Sequence, residues 1–125
     1  MIRKLIPILI FVSGLIFGLL VAIITDHYHK KQKSKAAYYM AANYYEEGRY
    51  DLSAALLNQS IAIYSKDYGP FYLLGDIYKR KGNAKLALQM YKMALKGMEN
   101  ENKKMLLDRQ NLKKRIRELE TIRQD

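Results

Sequence analysis

Three patterns of hydrophobic and polar residues succeed one another along this chain. From Leu5 to Thr25 the run LIPILIFVSGLIFGLLVAIIT holds 21 residues without a charge. As a helix rising 1.5 Å per residue it covers about 30 Å, the thickness of a bilayer's hydrocarbon core. Asp26 to Lys35, DHYHKKQKSK, is polar, basic and free of glycine and proline, so nothing in it stops a helix from continuing. Beyond it, apolar positions recur at helical spacing in four short segments, predicting helices at about 34–47, 50–64, 70–81 and 84–97. Tyr68-Gly69-Pro70 is read as the break between the second and third, with Pro70 in a first turn, and Gly97 as the end of the fourth. After Glu99-Asn100-Glu101-Asn102 a fifth helix is predicted at 103–123. Met105, Leu112, Ile116 and Leu119 form its apolar stripe amid Lys103, Lys104, Arg109, Lys113, Lys114, Arg115 and Arg117.

The third and fourth segments alternate large and very small side chains. Phe71, Leu74, Tyr78 and Tyr91 are large, and Gly75, Ala87 and Ala94 are small, with Gly82 between the helices. Such a pattern lets two antiparallel helices mesh, the small residues admitting the large ones. Thirty-four residues upstream the pattern returns. Met40, Ala41, Tyr44 and Gly48 stand for Leu74, Gly75, Tyr78 and Gly82, and Ser53, Leu57, Ser60 and Ile61 stand for Ala87, Tyr91, Ala94 and Leu95. Every small position stays small and every large apolar one stays large.

The period and the residue order, together with Tyr44-Tyr45-Glu46-Glu47-Gly48-Arg49-Tyr50 at the first turn, resemble the tetratricopeptide repeat (TPR) family. The chain departs from the family at Ala37, where an aromatic residue is usual, and at Ser65 and Glu99, where proline is frequent. These departures predict a looser first helix and less sharply set breaks. The resemblance implies two helical repeats within 36–98, about 34–67 and 68–101; with the apolar run read as a transmembrane helix (5–25) after a basic tail (1–4), and a basic stalk (26–35), the expected fold is all-α. A basic capping helix (103–123) would cover the exposed end of the stack. A coiled coil with a partner is the other reading of that last stripe.

Composition changes the picture at two points. The net charge of +10 favours acidic partners, whether protein, lipid headgroup or nucleic acid. The absence of cysteine excludes disulfides, thiol chemistry and a cysteine-linked lipid anchor. The apolar run exceeds the core of a typical signal peptide and no small-x-small site precedes Asp26, so a retained anchor is expected. Gly14, Gly18 and Ala22, spaced by four, would let another membrane helix approach, although such residues are common in membrane helices generally. Basic residues flank the span on both sides. A short basic leader that stays in the cytoplasm would put the repeats outside it, in a bacterial inner membrane, whereas HKKQKSK favours the reverse.

No catalytic constellation is present, and no enzyme activity, cofactor, metal or small-molecule substrate is expected. His27 and His29, two apart on a helix, point to different sides and are read as solvated. Function then falls to surface. The resemblance implies a concave groove lined by Tyr38, Ala42 and Tyr45, then Tyr72, Asp76 and Lys79, then Lys103, Leu106, Gln110 and Lys113. Tyr38 and Ala42 occupy the places of the lysine and asparagine that clamp a C-terminal carboxylate in some family members, so a receptor of that kind is not expected. The expected partner is a protein carrying an acidic or amphipathic segment, bound by a membrane-anchored adaptor or small assembly subunit. A nucleic-acid or anionic-lipid binder acting through the basic C-terminal helix is the alternative.

Overall fold

The computed structural model describes residues 2–99 and 106–122, with the backbone alone for Leu106 and Leu107. The described residues form five helices and no strand: α1 Ile2–Glu46, α2 Tyr50–Ile63, α3 Tyr68–Arg80, α4 Ala84–Met98 and α5 Leu106–Ile122. They fall into two units, Met1–Gln32 and Lys33–Asp125.

The described part of the first unit belongs wholly to α1. Its apolar side chains are exposed throughout, Leu9, Phe11 and Phe17 to about two thirds or more (66%, 69% and 70%). It is long and apolar enough to cross a membrane, and none of its apolar span is buried. Ser13 and Thr25 bond within their own helix, Ser13 Oγ to the Ile10 carbonyl (2.8 Å) and Thr25 Oγ1 to the carbonyls of Val21 and Ala22 (3.0 and 2.9 Å). No atom stands within 4 Å of where a Cβ would sit on Gly14 or Gly18. Helical structure continues through Asp26–Lys35, as the lack of glycine and proline there predicts.

In the second unit, the end of α1 pairs with α2, α3 pairs with α4, and α5 follows. Both hairpins turn in the same way. Gly48 and Gly82 adopt φ of +75° and +76°, left-handed values that glycine reaches without a Cβ penalty. Gly48 N–H bonds to the Tyr45 carbonyl (3.0 Å) and Arg49 N–H to that of Tyr44 (2.9 Å). Gly82 and Asn83 do the same to Lys79 and Tyr78 at 3.0 and 2.9 Å. This pair of bonds, one spanning five residues and one three, is the Schellman ending of a helix. The second turn adds a cap that the first lacks: Asn83 accepts from the Leu86 N–H at 3.1 Å, while Arg49 caps with no side-chain bond.

The two hairpins close by different means. In the second, α3 and α4 meet at Gly75, where a Cβ would lie 2.4 Å from the fully buried Tyr91 ring. In the first, three buried serines stitch the helices together. Ser34 Oγ donates to the Ser60 carbonyl (2.9 Å), Ser60 Oγ donates to the Ser34 carbonyl (2.8 Å), and Ser53 Oγ donates to the Ala41 carbonyl (2.7 Å). The looser first helix expected from Ala37 is therefore not observed, since these hydroxyls hold α1 against α2 and Ala37 itself is buried.

Two buried clusters result. Ala41 and Leu57 of the first hairpin meet Leu74 and Ile77 of the second. Phe71, Ala87, Leu88, Tyr91, Ala94 and Met98 receive Leu112, Ile116 and Leu119 of α5. The last helix thus covers the end of the stack; Met105, Lys103 and Arg123 lie outside the described residues. Two boundaries differ from expectation. Tyr68-Gly69-Pro70 is the first turn of α3 rather than a separator, because Pro70 is tolerated there. Gly97 lies inside α4, where its lack of a side chain admits the Tyr68 Cβ, 3.2 Å from a Cβ built on it.

Two substitutions test this account by chemical denaturation of the full chain. Gly75→Ala drives a methyl into the Tyr91 ring and should cost about 1–3 kcal/mol. Ser60→Ala removes a buried donor facing the Ser34 carbonyl and should cost about 1 kcal/mol. Unchanged stability in either would show that the helices separate at no cost.

Candidate partner-binding groove

Tyr68, Tyr72 and Lys79 share one side of α3, four and seven residues apart, and that side faces α5 across a groove of about 580 Å³. Tyr38 of α1 closes one end, resting against Gly69, where a Cβ would lie 3.2 Å from the ring. From α5 come Asp108, Asn111, Arg115 and Glu118, at three- and four-residue steps, with Lys114 beside them. Tyr38 and Tyr72 are half-buried, and burial raises the pKa of both hydroxyls above the usual tyrosine value.

A smaller hollow of about 350 Å³ adjoins, formed by Tyr45, Asp76, Lys79, Arg80 and Arg115. Tyr45 meets Tyr50 edge to face with centroids 5.5 Å apart. Arg80 Nε donates to the Tyr45 hydroxyl at 2.9 Å, and its guanidinium stands 5.4 and 5.7 Å from the two ring centroids.

Beneath the groove lies a three-helix polar contact. Tyr91 of α4 donates its hydroxyl to Asp76 of α3, and Arg115 of α5 pairs with the same carboxylate. Arg115 also stands 5.3 Å from the Tyr72 ring centroid, and Tyr72 and Tyr91 pack with centroids 5.9 Å apart. Burial first, and then the bond to Asp76, raise the Tyr91 pKa far above its ordinary value.

The expected groove residues therefore separate into groups. Tyr38, Tyr72 and Lys79 line the main groove together, and Tyr45 sits in the adjoining hollow. Asp76 is held by Tyr91 and Arg115 and acts as an internal anchor. Lys113 and Gln110 lie on the side of α5 away from the residues that line the groove, both exposed. Carrying the repeat pattern onto α5 rotated its face, because α5 presents Leu112, Ile116 and Leu119 to the stack and so turns Asn111 and Arg115 inward beside them. Lys103 and the Leu106 side chain lie outside the described residues. Tyr68, Asp108, Asn111, Lys114, Arg115 and Glu118 line the groove and were not among the expected residues. Tyr68 could have been found from its four-residue step to Tyr72 had the helix been started two residues earlier.

The anchor gives a test of both charge and pH. Asp76→Asn leaves Arg115 without its counter-charge and should lower stability by about 1–3 kcal/mol in denaturant titrations at neutral pH. Tyr91, with its pKa raised on folding, stabilises fully below the unfolded value near ~10. That contribution is lost as pH climbs toward the folded value, so stability should be flat near neutrality and fall above pH ~10. Tyr91→Phe should be less stable at neutral pH and show a shallower alkaline fall.

Residues 33–100, more than half of the chain's 125, match the tetratricopeptide repeat. No curated protein matches the chain. With two hairpins at a 34-residue period, the same glycine turn in each and a helix closing the end, the chain belongs to the tetratricopeptide repeat family of non-catalytic protein-interaction repeats.

Proposed function

We propose that this protein is a membrane-anchored adaptor, or small subunit of a membrane assembly, that holds a segment of a partner protein in the groove between α3 and α5. The observation that carries the reading is the lining of that groove. Tyr38 and Tyr72 offer large apolar rings with polar tips, a combination favoured at protein interfaces. Lys79 and Lys114 stand exposed beside them with no ion pair among the described residues. The ligand that fits is an extended or amphipathic segment whose apolar side chains meet the tyrosines and whose acidic residues meet the lysines.

The anchor is α1. An isolated helix with Phe11 and Phe17 about 70% exposed (69% and 70%) belongs in a hydrocarbon medium, and the internal bonding of Ser13 and Thr25 suits one. Gly14, Gly18 and Ala22 form the side on which another membrane helix packs. The short basic leader stays in the cytoplasm and the repeats lie outside it, in a bacterial inner membrane.

The test is a charge reversal on the groove. Lys79→Glu with Lys114→Glu should leave thermal unfolding unchanged, since both are exposed, and should weaken binding of an acidic amphipathic peptide. The loss should be greatest at low salt, because screening reduces the wild-type advantage. Equal affinity of variant and wild type across salt concentrations would remove the groove from consideration.

A further inference from the structure

The 34-residue equivalence exposes a second surface, at the opposite end of the stack from α5. The second hairpin packs on the first through Leu74 and Ile77, buried to 1% and 0% exposure with Leu73, Tyr78 and Met90 around them. Their counterparts in the first hairpin are Met40, Asn43, Tyr39, Tyr44 and Leu56. There no second hairpin packs on the face: Leu56 turns into the first hairpin's own core and Tyr44 is half-buried under Arg49, but Met40 is 53% and Tyr39 62% exposed, and Asn43 is exposed as well. The fold thus repeats a docking face and leaves one copy of it open.

We infer that this open face is the contact between two copies of the chain, related by a two-fold axis. Three observations select a second copy. Head-to-tail stacking is closed off, because α5 already covers the far end with Leu112, Ile116 and Leu119. A self-contact must then be isologous, with the same face on both sides. Charge points the same way. Residues 33–64 carry three cationic and three anionic side chains, whereas residues 65–125 carry fifteen and eight. Two copies of so basic a chain repel one another over the second half and not over the first. An acidic partner, conversely, is drawn to the half away from this face.

The polar position fits as well. Where the second hairpin has Ile77, the first has Asn43, a side chain that both donates and accepts and so can pair with its own copy across the axis. A lysine or glutamate there would face its like. Met40, flexible and unbranched, fills an irregular contact readily.

The chain contains no cysteine, so one introduced cysteine reports only contacts between molecules. The full-length Met40→Cys variant, oxidised in membranes, should run as a disulfide-linked dimer, and Lys85→Cys on α4 should not. A monomer for Met40→Cys, equal dimer at both positions, or capture of Met40→Cys by a different protein would overturn the inference. As a second measurement, detergent-solubilised wild type should sediment as a dimer and Met40→Glu as a monomer of unchanged helix content. A dimer that survives Met40→Glu, or a wild-type monomer, would also overturn it. Binding of an acidic peptide in the groove should be unaffected by Met40→Glu, which separates this contact from the function proposed above.

Discussion

The second unit depends on one close approach, that of Tyr91 to Gly75. Because Gly75 has no side chain, the tyrosine ring lies against the α3 backbone, fully buried, with its hydroxyl delivered to Asp76 one residue further on. That places a carboxylate where Arg115 of α5 reaches it, so a packing contact between two helices becomes a polar contact among three. The groove follows from this arrangement. Arg115, held by Asp76, forms part of the α5 wall and brings its guanidinium over Tyr72, while Asn111 and Glu118 extend the wall along the same side.

The first hairpin reaches a similar end by other chemistry. Its small positions on α2, Ser53 and Ser60, are serines, and each hydroxyl, like that of Ser34 opposite, finds a carbonyl on the facing helix. A serine is small enough for helices to approach and carries a donor besides, which an alanine at the same position does not. Satisfying that donor inside the contact gives the pair a fixed register, since a shift along the helix would leave buried hydroxyls without acceptors. The second hairpin, with Ala87 and Ala94 at those positions, relies on the large Tyr91 and on its neighbours in the apolar cluster.

Charge is distributed to match. Lysines and arginines concentrate in the second half of the chain, around the groove and along α4 and α5, and the first hairpin is balanced. The groove therefore presents tyrosines together with cations, and the end of the stack presents Met40 and Tyr39 on a hairpin of balanced charge. These are surfaces of different character, suited to different contacts.

The sequence by itself determined the helices, the two turns and the family. Helical spacing, two glycines 34 residues apart and the small–large alternation are local properties, and Gly48 and Gly82 adopt positive φ because a tight turn between helices needs it. The apolar span of α1 was legible for the same reason, as an uninterrupted run. Tertiary structure alone decided which side of α5 faces the groove, because that depends on how Leu112, Ile116 and Leu119 seat against α4. It decided that Asp76 is an internal anchor, since its partners come from 15 and 39 residues away and no spacing rule joins them. It also decided that Met40 is exposed where its counterpart Leu74 is buried. The two positions have the same pattern in sequence; one has a hairpin packed against it and the other does not.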